Sequence, residues 1–239
     1  MSTCYLDLTL PTPADNLALD EALLLEAEAG NLGGVLRTWE SPILAVVLGA
    51  GSVLAGDVDE AACRADGVPV LRRASGGGTV LIGPGCLCYS LVLDATLPQV
   101  SDPRRACLHI QTAVCTALRP LVGEAVILGS SDIGLGDRKF GGSAQRRLRR
   151  FLLFHGTVLY RFPIGLLARY LRPPRRQPAY RRQRGHEEFV INVPAEPESV
   201  KAALRSAWRA DCPLADWPAA RTAELSATKY EAQGWIRRR

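Results

Sequence analysis

Leu71-Arg72-Arg73-Ala74-Ser75-Gly76-Gly77-Gly78-Thr79-Val80 is the stretch on which the fold turns. A β-like run at 68–72 leads into it, and no helical pattern opens behind it. It therefore matches neither GxGxxG nor the GxxxxGK phosphate loop, both of which set glycines between a strand and a helix N-terminus. Three successive glycines remove every Cβ, so the backbone can approach a ligand and aim N–H groups at an anion. Arg72 or Arg73 could pair bidentately with a phosphate or carboxylate, with Ser75 beside them. The alternative is a plain hairpin turn with a solvated arginine pair. A second turn, Gly83-Pro84-Gly85, redirects the chain and is read as structural.

Outward from the loop the pattern is strand-rich with interspersed helices. Residues 4–10 read as a strand closed by Pro11 and Pro13, and Asp15 caps an amphipathic helix over 16–29 ended by Gly30. Short β-like runs follow at 35–39 and 43–48, then a helix at 57–66 stopped by Gly67. Beyond the loop come a strand at 86–93, a long helix at 103–119 stopped by Pro120, and strands at 126–128, 133–135 and 151–160. Residues 163–171 suggest a short helix, 171–185 an irregular Pro- and Arg-rich surface loop, and 196–209 and 219–235 two closing helices. The expected fold is α+β: one domain over 1–239 with a mixed, largely antiparallel sheet and flanking helices. Its motif-bearing core would span about 8–192 and a helical tail about 195–239.

At 47% hydrophobic and 22% charged residues the composition is that of a globular protein. Glycines and Pro84 interrupt the longest uncharged stretch, 74–93, so no membrane span is expected. The N-terminus lacks a basic segment followed by an apolar one, and a cytoplasmic location is expected. Seven cysteines contain no CxxC, and Cys86 and Cys88 would share a strand face as small fillers. Of 29 basic residues only Lys139, Lys201 and Lys229 are lysine. Lysine retained among arginines suggests work that guanidinium cannot do. Lys201 and Lys229 read as ordinary helix-surface residues.

Asp132-Ile133-Gly134-Leu135-Gly136-Asp137-Arg138-Lys139 and the following Phe140-Gly141-Gly142-Ser143-Ala144-Gln145 read as strand, tight turn, strand. The small residues beside Lys139 leave room for a ligand whose phosphate and carboxylate oxygens its ammonium could neutralise at one point. His155, in Phe154-His155-Gly156-Thr157, is either a satisfied core residue or part of the site.

Together these stretches resemble the lipoate–protein ligases of the biotin/lipoate ligase superfamily. Arg72-Arg73-Ala74-Ser75-Gly76-Gly77-Gly78, Asp137-Arg138-Lys139-Phe140-Gly141-Gly142-Ser143-Ala144 and His155-Gly156-Thr157 occur in the family's order, and Ala18-Leu19-Asp20-Glu21-Ala22-Leu23 is similar to its first helix. The resemblance implies the class II synthetase-like fold and a two-step reaction. Lipoate or octanoate attacks ATP, with Mg2+, to give an acyl-adenylate, and a carrier-domain lysine then takes the acyl group. It implies that Lys139 holds the acyl carbonyl and α-phosphate. Arg72, Arg73, Ser75, Gly76, Gly77, Gly78, Thr79, Val80 and Leu81 would line the substrate and ATP site, with Gly142, Ser143, Ala144, His155, Gly156 and Thr157 opposite. Asp132 would neighbour the magnesium.

Ile82-Gly83 stands where many members have His-Asp, and Ser131-Asp132 where they have Asn-Asp. The family's separate accessory domain is not found after the catalytic part, so a small accessory subunit is expected for the adenylation step. A transferase of the same fold would need a cysteine two positions before Phe154, where Leu152 stands, or upstream of the lysine hairpin, where 124–138 holds none. Direct amide transfer between carriers would need no such cysteine. A different class, a non-catalytic basic module, draws on net charge +5 and arginines at 146, 147, 149, 150, 172, 175, 176, 181, 182 and 184. Without a nucleic-acid motif, these are read as a docking face for an acidic lipoyl carrier domain.

Overall fold

The computed structural model describes residues 3–173 and 177–238. Its strands are β1 (Thr3–Asp7), β2 (Gly34–Glu40), β3 (Ala45–Leu48), β4 (Val70–Arg72), β5 (Val80–Ile82), β6 (Cys86–Asp94), β7 (Ala125–Leu128), β8 (Asp132–Leu135), β9 (Arg138–Arg147), β10 (Phe151–Leu159) and β11 (Cys212–Pro213). The larger sheet runs β11-β1-β2-β6-β10-β9-β8-β7, parallel around β1 and antiparallel from β2 onward. A smaller sheet, β4-β3-β5, carries the glycine-rich loop between its outer strands. The α+β expectation holds.

Every residue of β6 is buried, and its alternation divides the core. Cys86 and Cys88 face the small sheet, whereas Leu87, Tyr89 and Leu91 face the helix Pro103–Val122 and its neighbour Pro197–Ala207. The helix Pro13–Glu28 buries Leu19, Leu23, Leu24 and Ala27 against Val35, Val92 and Leu153.

Boundaries moved where local chemistry outweighed periodicity. The first helix starts at Pro13, not Asn16: Thr12 is its cap, accepting from the Asp15 N–H at 3.1 Å, and proline suits the first helical position. Pro120 does not stop the long helix, because it sits near the end, where Leu118 and Val122 are anchored in the core, and Gly123 caps it. Asp59 caps Glu60–Ala65 separately from Leu54–Asp57, so the helix expected at 57–66 is two. The expected helix at 219–235 breaks into Ala219–Leu225, a wide turn at Ser226–Tyr230, and Gln233–Ile236. Gly85 has φ 86°, and a Cβ there would strike the Arg161 backbone, which accounts for the Gly83-Pro84-Gly85 turn.

Lys201 pairs with Asp7 and Glu198, and Lys229 is no free surface group: both oxygens of buried Glu21 lie 2.7 Å from its ammonium. Within the loop expected at the surface, Tyr180 and Arg181 turn inward, and residues 174–176 lie outside the described residues.

Candidate active site

The hairpin joining β8 to β9 turns at Gly136 and sets Lys139 as the second residue of β9. Its ammonium donates to Asp132 Oδ1 at 2.8 Å, and the Tyr180 hydroxyl donates to Asp132 Oδ2 at 2.9 Å. Burial, followed by the Asp132 charge, pushes the Tyr180 phenol up, so it stays a neutral donor. A Cβ on Gly142 would lie 2.9 Å from the Lys139 ammonium, so a larger residue there would displace the lysine.

Across from this hairpin, Arg73 stitches the glycine loop. Its buried guanidinium donates to the carbonyls of Gly76 at 2.6 Å, Gly78 at 2.8 Å and Val47 at 3.3 Å, and to Ser75 Oγ at 3.0 Å. Burial lowers its pKa to about 10, which leaves it cationic at neutral pH. With those carbonyls turned to Arg73, the amide N–H groups of Gly76, Gly77 and Gly78 find no acceptor among the described residues. A run of unsatisfied amides is an anion cradle.

His155, on β10, joins loop and sheet. Its Nε2 is 2.5 Å from Ser75 Oγ and its Nδ1 is 3.6 Å from Asp20 Oδ2. Asp20 also meets Arg37 at 2.6 Å and accepts from Ser90 Oγ at 2.7 Å. Burial alone would raise the Asp20 carboxyl, but Arg37, then His155 and Ser90, outweigh it and hold it below its ordinary value. The carboxylate therefore stays charged beneath the site.

Between loop and sheet is a cavity of about 130 Å³. Leu17, Trp39, Val47, Val80, Ile82 and Cys88 form apolar walls, and Lys139, Asp132, Ser143, Thr157 and His155 supply polar groups. Such a chamber suits an apolar tail carrying one anionic head.

Of the residues singled out in the sequence, Lys139, Asp132, Arg73, Gly78, Thr79, Val80, Gly142, Ser143, Ala144, His155, Gly156 and Thr157 line this cavity. Arg72, Ser75, Gly76, Gly77 and Leu81 are not among its lining residues. Fully buried Arg72 instead donates to the carbonyls of Ile236, Gly49 and Ser52, since successive residues leave a strand on opposite faces. Ser75 acts behind the loop through His155 and Arg73. Neither arginine is positioned as the free anion clamp that the sequence suggested. Asp20, Arg37, Trp39 and Tyr180 were not singled out. Polar Asn16 and Asp20 on the apolar-packed first helix were the available signal, because a polar group buried there must find partners.

Several of the arginines are engaged within the chain. Arg146 contacts Glu21 and the Ala74 carbonyl, Arg147 the carbonyls of Val100 and Ser101, Arg150 Asp94, and Arg184 Asp137. Arg181 is buried, whereas Arg149, Arg172 and Arg182 are exposed. Arg175 and Arg176 lie outside the described residues.

The site is thus a largely apolar cavity closed by a glycine-rich loop, with Lys139 among its polar groups. Residues 12–204 match the sequence model of the lipoyl protein ligase A/B catalytic domain, and the chain belongs to that family. It is 29% identical over 195 residues to the probable lipoate-protein ligase A of Mycoplasma genitalium, covering 81% of this chain and 56% of that one. The chain thus spans little more than half of that relative's length. It is 33% identical over 178 residues to octanoyltransferase LipM of Carboxydothermus hydrogenoformans, covering 66% and 65% of the two chains. The bi-partite lipoate protein ligase of Thermoplasma acidophilum has the same fold, with a TM-score of 0.83 at 22% identity over 99% of this chain and 96% of that one. No described helix is long and apolar enough to cross a membrane.

Proposed function

We propose that this chain activates lipoate or octanoate with ATP and passes the acyl group to a lysine of an acidic lipoyl carrier domain. The observation that carries this reading is Lys139 at the polar groups of an otherwise apolar cavity, which Gly78 of the glycine-rich loop also lines. The acyl tail would occupy the apolar walls and its carboxylate would meet Lys139. Attack of that carboxylate on the α-phosphorus forms the acyl–phosphate bond and releases pyrophosphate. The charge developing on the phosphoryl oxygens is met by the ammonium and the loop amides. The carrier amine then attacks the acyl carbon, and AMP leaves. Solved structures of the same fold include one with ATP bound and one with lipoic acid bound, which supports both substrates. Mg2+ held on nucleotide phosphates needs only one or two protein carboxylates, and Asp132 fits that part.

Relatives include both ligases and octanoyltransferases. A thioester route needs an activated thiolate. The cavity cysteine, Cys88, is buried, and its contact with Cys86, together with burial, pushes its thiol well above the ordinary range. Cys107, beside Ser130 and Ser143, is likewise pushed up by burial. Both favour the adenylate route. The carrier would be recognised by exposed arginines such as Arg149, Arg172 and Arg182, which no nucleic-acid motif accompanies. Because a solved neighbour is described as bi-partite, we assign any second polypeptide to the adenylation step.

The test is the mass of an apo carrier domain incubated with the chain, lipoate or octanoate, ATP and Mg2+, and separately with preformed acyl-adenylate. ATP-dependent amide formation supports the reading. Transfer from an acylated carrier without ATP, through a trapped enzyme thioester, would replace it. Release of pyrophosphate at full rate by the chain alone would remove the second polypeptide.

A further inference from the structure

The last described segment reaches back more than 160 residues to the rear of the glycine loop. The Trp235 indole N–H donates to the Arg72 carbonyl at 2.7 Å, and Arg72 Nε donates to the Ile236 carbonyl at 3.0 Å. Arg238 Nη2 donates to the Ala50 carbonyl at 3.1 Å, while the Ala50 N–H itself donates to the Ser75 carbonyl at 2.8 Å. The next residue after Arg72 is Arg73, whose guanidinium fixes Ser75, Gly76 and Gly78. A second anchor lies on the first helix. Lys229 and Tyr230 hold Glu21, at 2.7 and 2.8 Å, beside the Asp20 that faces His155. Arg146 bridges Glu21 to the Ala74 carbonyl of the same loop. The Lys229 ammonium and the Arg238 guanidinium also lie over the Trp235 ring, at 4.2 and 3.6 Å from its centre.

The segment therefore grips two points, each one residue away from a group that faces the site. A glycine loop lacks side chains to hold its own shape, so it needs a frame supplied from outside. We propose that Trp235 and Lys229 are positioning residues, which brace the glycine-rich loop in its ligand-ready form without touching substrate. The contact pattern explains a hydrogen-bonded indole and a half-buried lysine in a segment whose core anchors are Tyr230 and Ile236. A small displacement of such a loop weakens substrate capture well before the fold is lost.

The experiment compares Trp235→Phe, which keeps an aromatic ring but removes the indole N–H, with Arg237→Gln. The latter breaks the 2.9 Å contact to Glu60 in the same segment and touches neither anchor. Amide hydrogen exchange is read directly at the hydrogen-bonded amides that frame the loop, Arg73 to the Leu48 carbonyl and Ala50 to the Ser75 carbonyl, with β10 as the internal reference. In Trp235→Phe these amides should exchange on the order of ten-fold faster while β10 is unchanged, and Arg237→Gln should match the unaltered protein. Lys229→Met is the second variant, expected to loosen the same amides and to serve if Trp235→Phe does not fold. Turnover adds a readout that rests on the ligase reading: kcat/KM for the acyl substrate in adenylate formation should fall about ten-fold, while KM for the carrier domain stays within about two-fold. Loop exchange unchanged in both anchor variants, or loosened equally by Arg237→Gln, would overturn the brace. Absence of any acyl transfer would remove the ligase reading and leave the exchange result standing.

Discussion

Asp20→Asn removes one charge and almost no volume, and its cost can be worked from the contacts. Arg37 is fully buried, and its guanidinium donates to the Leu8 and Asn16 carbonyls, Asn16 Oδ1 and Asp20 Oδ1. Asp20 is the carboxylate it touches, at 2.6 Å. Asparagine preserves the shape but leaves a buried cation uncompensated, which costs about 3–5 kcal/mol. Against a total stability of about 5–15 kcal/mol that is a large fraction. At about 2–4 °C per kcal/mol for a chain of this size, the melting temperature should fall by roughly 6–20 °C. Arg37→Met alone should cost a comparable amount, because it strands the anion. The double variant Asp20→Leu/Arg37→Met buries no charge and should recover most of the loss. Sign follows from the depressed Asp20 carboxyl: its stabilisation is complete above its ordinary value, 3.8, and is lost as pH falls through the lower folded value. Denaturant unfolding of the three variants, at neutral pH and along an acid series, measures all of this. A loss under about 1 kcal/mol for Asp20→Asn, or a double variant as costly as the sum of the singles, would refute the reasoning.

Three further outcomes are expected. Lys139→Ala and Lys139→Arg should both lose adenylate formation, by about 3–4 kcal/mol of transition-state stabilisation, while keeping the fold; an arginine variant with near-normal pyrophosphate release would contradict the role given to the ammonium. Replacing Cys88 and Cys107 with alanine should leave transfer to the carrier intact if the chain folds, and a trapped acyl-thioester on either would reverse that conclusion. His186 is pushed down to about 4, by burial first and then by Arg181 and Lys139, so it folds neutral while the unfolded chain takes up a proton. Its contribution is complete above about 6.5 and declines as pH falls toward about 4, amounting to about 1–2 kcal/mol once partial exposure is discounted. His186→Gln should flatten stability across that window, and an unchanged slope would show that another group titrates there.

The loop and the lysine hairpin were legible in the sequence because glycine and lysine announce their roles locally. Three glycines in a row have few uses, and a tight turn before Lys139 fixes where that residue emerges. Arg72 and Arg73 were not separable on the same terms. Both look like anion clamps in one dimension, yet strand alternation sends one backward into the carbonyls of Gly49, Ser52 and Ile236, and the curl of the loop brings the other onto its own carbonyls. Those acceptors are backbone groups, which every residue carries, so no residue pattern marks them. Tyr180 was hidden for a related reason. Its loop is rich in proline and arginine, which usually means solvent, but the phenol finds Asp132 from 48 positions away. Asp20 was the nearest miss. A carboxylate on a helix face packed at every turn must either be neutral or have a buried partner, and Arg37, at the middle of a strand whose other charged residue is the terminal Glu40, was the available cation. Pairing the two from the sequence alone would have required knowing that the first helix lies across β2, which only the sheet order supplies.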